Sequence, residues 1–237
     1  SSSSETSSSS ETSSSSPTPS MTSDPLPVQA GSSRARSKSP SEGLRGDIKP
    51  LNITQPDGPS FEVEGYQVRW QRWNIRIGYN LREGLVLHDI GYEDEDTLRP
   101  IMHRASMAEM VVPYGDPTGG NYRRNAFDTG EYGRGVALDS LKLGCDCLGH
   151  IHYFDVCAHD WDGNPQLIQN AVCMHEEDFG LLWKHTDAKT GKFRAVRSRR
   201  LVISSIATIG NYVYGFFWYF YQDGTIGVEI KATGIPV

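Results

Sequence analysis

No apolar run in this 237-residue chain approaches the ~20 residues needed to cross a bilayer, so no membrane span is expected. The amino terminus also lacks an apolar signal core, which gives secretion no support and favours a cytoplasmic or peroxisomal setting. Positive charge is not in excess. A net charge of −6 gives no reason to expect nucleic acid or an anionic membrane as partner. Cysteine is scarce, with four residues all between Cys145 and Cys173, too few and too clustered for a disulfide scaffold. Internal repeats and long amphipathic helices are absent. Aromatic and apolar residues are missing from most of the first 49 positions, which are Ser-rich and then mixed Pro, Ser, Gly, Arg and Lys. Such a composition cannot bury enough surface to offset its ordering entropy, so residues 1–49 are expected to be a disordered tail. Its basic cluster Arg34, Arg36, Lys38 and Arg45 reads as solvated linker. Asn52-Ile-Thr54 fits a glycosylation sequon, taken as coincidence without a secretory signal.

What remains, residues 50–237, is one domain's worth of chain written in strands. Short β-branched and aromatic segments occupy 60–64, 67–79, 85–92, 98–105, 107–114, 138–143, 150–156, 167–174, 181–185 and 199–206. A phase switch at Gln71-Arg72 suggests a bulge or bend within the second. Many short strands punctuated by turns predict an all-β sandwich or barrel.

The carboxyl-terminal stretch is the most strongly patterned. Asp223-Gly224 is a hairpin turn between two strands. After it, Ile226, Val228 and Ile230 alternate with polar or small residues, predicting one buried face. Before it, Tyr212, Tyr214, Phe216, Trp218 and Phe220 fall on one side and Val213, Phe217, Tyr219 and Tyr221 on the other. A strand apolar on both faces is enclosed, so Tyr212 is expected deep in the core.

Several residues have chemistry to offer. Asp128 and Glu131 lie in Phe127-Asp-Thr-Gly-Glu-Tyr-Gly-Arg-Gly135, where glycines make a tight backbone. Taken alone they read first as a turn ion-pair set, and second as an acid/base pair for glycoside hydrolysis. Cys145-Asp-Cys147 with Cys173 and His175 downstream is a weak zinc signature of unusual spacing. His150 and His152, two apart on a strand, share a face and could hold a metal, although a solvated face is the better reading.

Thr208-Ile-Gly-Asn211-Tyr212, its aromatic strand, Asp223-Gly-Thr-Ile226 and Ala232-Thr-Gly-Ile235 together resemble the cofactor segment of the copper amine oxidases. The resemblance extends over Leu51 to Val237 and implies part of a large antiparallel β-sandwich catalytic domain. It implies that Tyr212 is the precursor of topaquinone, the carbonyl that forms a Schiff base with a primary amine, and that Asn211 helps set the ring's orientation. It implies that Asp128 is the proton acceptor and that Tyr114, in Met110-Val-Val-Pro-Tyr-Gly-Asp-Pro117, hydrogen-bonds the quinone. A base for this task works best where an apolar cavity desolvates it, and Phe127 is the expected source. The implied cofactors are copper and topaquinone. The implied reaction converts a primary amine and dioxygen to aldehyde, ammonia and hydrogen peroxide, in a homodimer whose arms reach between subunits.

The resemblance also pairs Cys147 with Cys173 in a disulfide, leaving Cys145 and Cys157 free, and gives His175-Glu-Glu-Asp178 and Trp183-Lys-His185 supporting roles. Two positions depart from the family pattern: Val213 stands where an acidic residue is usual, and Ala126 stands where a bulky gate is common. The family's copper-ligating His-x-His lies some fifty residues after the quinone tyrosine, so no metal ligand is assigned in this chain. The corresponding alternative is a non-catalytic module in which Tyr212 stays a tyrosine.

Overall fold

The computed structural model describes residues 48–235; the tail expectation therefore falls, but for its last two residues, outside the described residues. Twelve strands form two five-stranded antiparallel meanders and a small ribbon. The first sheet runs β1 (Phe61–Glu64), β2 (Gln67–Trp70), β3 (Trp73–Asn80), β4 (Gly84–Asp94) and β5 (Thr97–Ser106) in spatial order. The ribbon pairs β6 (Val111–Pro113) with β7 (Asn125–Phe127) and leads into a one-turn helix, α1 (Asp128–Tyr132). The second sheet is β8 (His152–His159), β9 (Pro165–Thr186), β10 (Phe193–Ile209), β11 (Tyr212–Tyr221) and β12 (Ile226–Gly234).

The sheets close on one shared core. Trp70, Trp73, Ile75 and Leu87 from the first pack with Met174, Leu201, Ile203 and Phe220 from the second. Buried indoles need partners for their N–H groups, and here they find them across the sandwich. Trp70 Nε1 donates to Glu176 Oε1 at 2.9 Å and Trp73 Nε1 to the Tyr221 carbonyl at 2.7 Å. Glu176 also accepts from the Ser60 N–H and from Gln55, so one buried carboxylate ties the segment before β1 to the middle of β9. These bonds place Glu176, within the His175–Asp178 stretch, in a polar network that joins the two sheets, whereas Trp183, Lys184 and His185, expected to support the site through a buried network, are exposed.

The all-β sandwich expected from the sequence is the fold observed. Four local expectations are corrected. Gln71-Arg72 is a two-residue hairpin turn between β2 and β3, with Gln71 at φ +54°, rather than a bulge. Residues 138–143 form no strand; Leu138 and Leu143 make isolated bridges, to Ala207 and Cys147, and the segment is a strap over β10. The segments read at 167–174 and 181–185 are one 22-residue strand, paired with an equally continuous β10 across register shifts near Arg197. Finally, β12 is a sheet edge, and Val228 and Ile230 are exposed instead of facing a core.

Candidate active site

Tyr212 opens β11 one residue after a hairpin turn. Ile209 pairs with Tyr212, so Gly210-Asn211 is the two-residue loop, and Gly210 takes the positive φ (+61°) such loops demand. That position at the sheet's end explains the main correction. Tyr212 is 42% exposed, not deep in the core, while the rest of its strand from Tyr214 to Phe220 is buried as the two-faced pattern predicted, apart from half-buried Phe217. Asn211 is exposed in the loop, and its carbonyl accepts the Ile235 N–H at 2.9 Å. Thr208 anchors the other side: its hydroxyl donates to Asp139 Oδ2 at 2.8 Å and its N–H to the Ala137 carbonyl at 3.1 Å.

The Tyr212 ring stacks on Tyr214, two residues on and therefore on the same face, at 6.3 Å between centroids and 29° between planes. Tyr214 in turn donates its hydroxyl to Asp128 Oδ2 at 2.8 Å. Asp128 is only 5% exposed and begins α1, where its N–H reaches the Met110 carbonyl at 3.2 Å. Phe127 does not desolvate it, being itself exposed; β alternation turns that ring outward. The apolar neighbour of Asp128 is instead Tyr214, which packs in one cluster with Ile209 and Phe216, with Met107 and Met110 against them. Burial, then the bond to Asp128, pushes the Tyr214 phenol well above its ordinary value, with Asp128, Tyr212 and Tyr114 as neighbouring charges. Tyr212, Tyr214 and Asp128 are thus linked by direct contacts.

Tyr114 leaves β6 with its N–H on the Arg124 carbonyl at 3.0 Å and the Arg124 guanidinium over its ring at 4.9 Å. Ala126 pairs with Val112 across the ribbon. Glu131 is exposed, and its Oε1 accepts the Phe127 N–H at 3.3 Å, so it braces the start of α1 rather than facing Asp128 as a second catalytic acid.

Two residues that sequence reasoning passed over hold the site together. Tyr214 was read only as one ring in an aromatic strand, although its shared face with Tyr212 was a usable signal. Arg134, buried within Gly133-Arg-Gly135, donates Nε to the Glu83 carbonyl at 2.8 Å and Nη2 to the Met107 carbonyl at 2.8 Å, and lies 4.0 Å over the Phe216 ring. Burial brings the guanidinium down to about 10. A buried arginine between two glycines has no periodic signature; only the fold shows what it binds.

Among the described residues, none of the His, Cys, Asp or Glu side chains gathers into a metal-holding group at Tyr212. His150 is exposed ahead of β8, and half-buried His152 packs edge-on against Phe61 and Phe154, which corrects its reading as a solvated residue. Burial lowers the His152 imidazole. Cys147 and Cys173 are joined in a disulfide, and Cys145 and Cys157 are free and exposed. The residues present fit a redox-active ring at Tyr212, because an exposed ring sits stacked beside a buried carboxylate system. They do not supply a copper site there. Among the described residues, no helix is long and apolar enough to cross a membrane.

The model of the copper amine oxidase enzyme domain matches residues 62–236. The chain is 55% identical over 192 residues to N-methylputrescine oxidase 1, peroxisomal, of Nicotiana tabacum, covering 81% of this chain and 24% of that protein. It is 50% identical over 211 residues to histamine oxidase of Arthrobacter globiformis, covering 89% and 31%. The crystal structure of a copper-containing benzylamine oxidase from Hansenula polymorpha superimposes with a TM-score of 0.74 at 43% identity, over 81% of this chain and 30% of that one. The chain therefore spans roughly a quarter to a third of the relatives it matches.

Proposed function

The chain belongs to the copper amine oxidase family, and from that premise we propose that residues 50–237 are part of the catalytic domain of a primary-amine oxidase. The observation that carries this reading is the chain Tyr212–Tyr214–Asp128: an accessible ring stacked on a phenol that hydrogen-bonds a buried carboxylate. The quinone proposed at Tyr212 supplies an electrophilic carbonyl and an acceptor for two electrons. Asp128 takes the proton from the carbon beside the amine nitrogen. Its Oδ2 is engaged by Tyr214, which leaves Oδ1 to receive that proton. Burial of Asp128, only 5% exposed, keeps water from the carboxylate, which strengthens its interactions with an incoming cation. Tyr114 is the proposed donor to a ring oxygen. Balanced overall, a primary amine, dioxygen and water give aldehyde, ammonia and hydrogen peroxide.

Copper is part of the proposal for the whole protein, but no step is derived through it, since no ligand set stands at Tyr212. A homodimer is also proposed. It is supported by the β9–β10 hairpin, whose outer end exposes Leu181, Leu182, Trp183, Phe193 and Val196, an apolar arm suited to a second subunit. A peroxisomal or cytoplasmic setting is retained as a proposal; the tobacco relative is named peroxisomal.

A second reading is that this polypeptide by itself is a non-catalytic module in which Tyr212 stays a tyrosine. One experiment separates the two. The native protein and the isolated 237-residue chain are each incubated aerobically with Cu2+, then treated with a hydrazine that derivatises quinones, and the tryptic peptide containing Tyr212 is examined by mass spectrometry. A derivatised peptide from the native protein, with amine-dependent peroxide release, supports the oxidase. An unmodified tyrosine in both samples leaves the non-catalytic module as the answer.

A further inference from the structure

The disulfide does not account for its own neighbourhood. His175 is 6% exposed, its Nδ1 is buried without a hydrogen-bond partner, and one of its ring nitrogens lies within 4.8 Å of both cysteine sulfurs. A buried imidazole nitrogen left unpaired is destabilising and calls for a partner. The other nitrogen is already fixed: Nε2 stands 3.2 Å from Glu177 Oε1, and Arg200 holds that carboxylate through Nε at 2.7 Å. A carboxylate accepting from Nε2 sets the tautomer so that Nδ1 carries a lone pair, the arrangement that backs metal-bound histidines. On the sulfur side, Ser204 Oγ is 3.2 Å from Cys173 Sγ, within reach to donate to a thiolate.

We propose that Cys147, Cys173 and His175 Nδ1 form a binding site for zinc, or a similarly thiophilic divalent cation, when the disulfide is reduced. The chemistry balances with an external dithiol. The S–S bond takes two electrons and two protons from the dithiol, which closes to its own disulfide. Coordination then releases two thiol protons and leaves two thiolates and a neutral imidazole on the cation. Two sulfurs and one nitrogen leave the fourth tetrahedral position open. It faces a cavity of about 300 Å³ that is also lined by Cys145, Asp146, Glu177 and Lys231. The free thiol of Cys145, two residues before Cys147, is the side chain placed to fill it. This site is independent of Tyr212 and of the amine oxidase reading.

The test uses the full chain, reduced with a dithiol, desalted without oxygen and titrated with Co2+ as a spectroscopic substitute for zinc. One equivalent is expected to give an intense thiolate-to-cobalt charge-transfer band with the visible bands of a tetrahedral site. His175→Ala is expected to weaken binding about tenfold to a hundredfold, as removal of a coordinating or supporting group does, and Cys157→Ser to leave it unchanged. If variants fail to fold, the unaltered chain still decides: bound Zn2+ is expected to protect Cys147 and Cys173, but not Cys157, from alkylation read by mass spectrometry. Equal alkylation of all cysteines with and without Zn2+, a disulfide that resists the dithiol in the folded protein, or a cobalt band indifferent to His175→Ala would each overturn the proposal.

Discussion

The Tyr214 hydroxyl reaches Asp128 Oδ2 at 2.8 Å across 86 residues of chain, joining the aromatic strand β11 to the helix that follows the β6–β7 ribbon. Neither partner is exposed, so each satisfies a group that water cannot reach. Replacing Tyr214 with Phe keeps the ring and removes only the donor. The buried carboxylate then loses its partner, at a cost of about 1–3 kcal/mol. Thermal unfolding should show a lower Tm in Tyr214→Phe. In the assembled oxidase kcat is expected to fall while KM for the amine changes little, because the affected group acts on the proton and not on binding. An unchanged Tm together with unchanged kcat would remove Tyr214 from the site.

Acid stability should depend on Glu83. Its carboxyl is held below the ordinary 4.5, first by the hydrogen bond from Arg104 and then, against the cost of burial, by Asn80 at 2.7 Å. A depressed carboxylate stabilises the fold fully above its unfolded value and loses that contribution as pH falls through the folded one. Glu83→Gln is therefore expected to lower Tm at neutral pH and to flatten the decline of Tm below about pH 4.5. Parallel Tm-versus-pH curves for the two proteins would contradict this linkage.

Gly135 is a position where space, not flexibility, decides. A Cβ there would overlap the Asn80 carbonyl and lie 2.7 Å from the Leu81 carbonyl, both backbone atoms that cannot swing away. Gly135→Ala should shift the Asp128–Gly135 segment off the β3–β4 turn and destabilise by roughly 1–3 kcal/mol, the range for overpacking. The expected readout is faster proteolysis within residues 125–136, mapped by mass spectrometry. Cleavage no faster than in the unaltered protein would show that the segment does not depend on this contact.

Ala126 is half-buried on β7 opposite Val112, two residues before Asp128. A small side chain there leaves room near the carboxylate, so bulky amines should be admitted. In the assembled oxidase, Ala126→Tyr is expected to reduce kcat/KM for benzylamine relative to methylamine. An unchanged ratio would show that position 126 does not border the substrate path.

Much of the fold could be read directly. Strand periodicity, turn residues and the doubly apolar β11 are local properties of the chain, and Trp70, Trp73 and Phe220 lie in the core such patterns require. What misled was context. Ile226, Val228 and Ile230 alternate like a half-buried strand, yet β12 is the sheet's edge and most of that face meets solvent. Residues 138–143 are apolar enough for a strand, but the Leu141 N–H donates to the Asn170 carbonyl and Leu138 and Leu143 make only isolated bridges, to Ala207 and Cys147, so they cap a sheet without joining it.

The motif residues of the candidate site, Tyr212, Asn211, Asp128 and Tyr114, were all named from sequence, because a family signature is carried by residue identity at fixed spacing. Their arrangement was not. Tyr212 lies at the end of its strand because Gly210-Asn211 turns the chain, and Tyr214 contacts Asp128 because the ribbon folds the Asp128 segment over β11. The sequence by itself determined an all-β sandwich and which side chains carry reactive groups. Tertiary structure alone decided that Tyr214 and Arg134 support the site and that His175, with an unpartnered Nδ1, has a ring nitrogen close to two sulfurs. Local pattern encodes what each segment tends to form. Contacts between segments dozens of residues apart exist only once the sheets have closed on a common core.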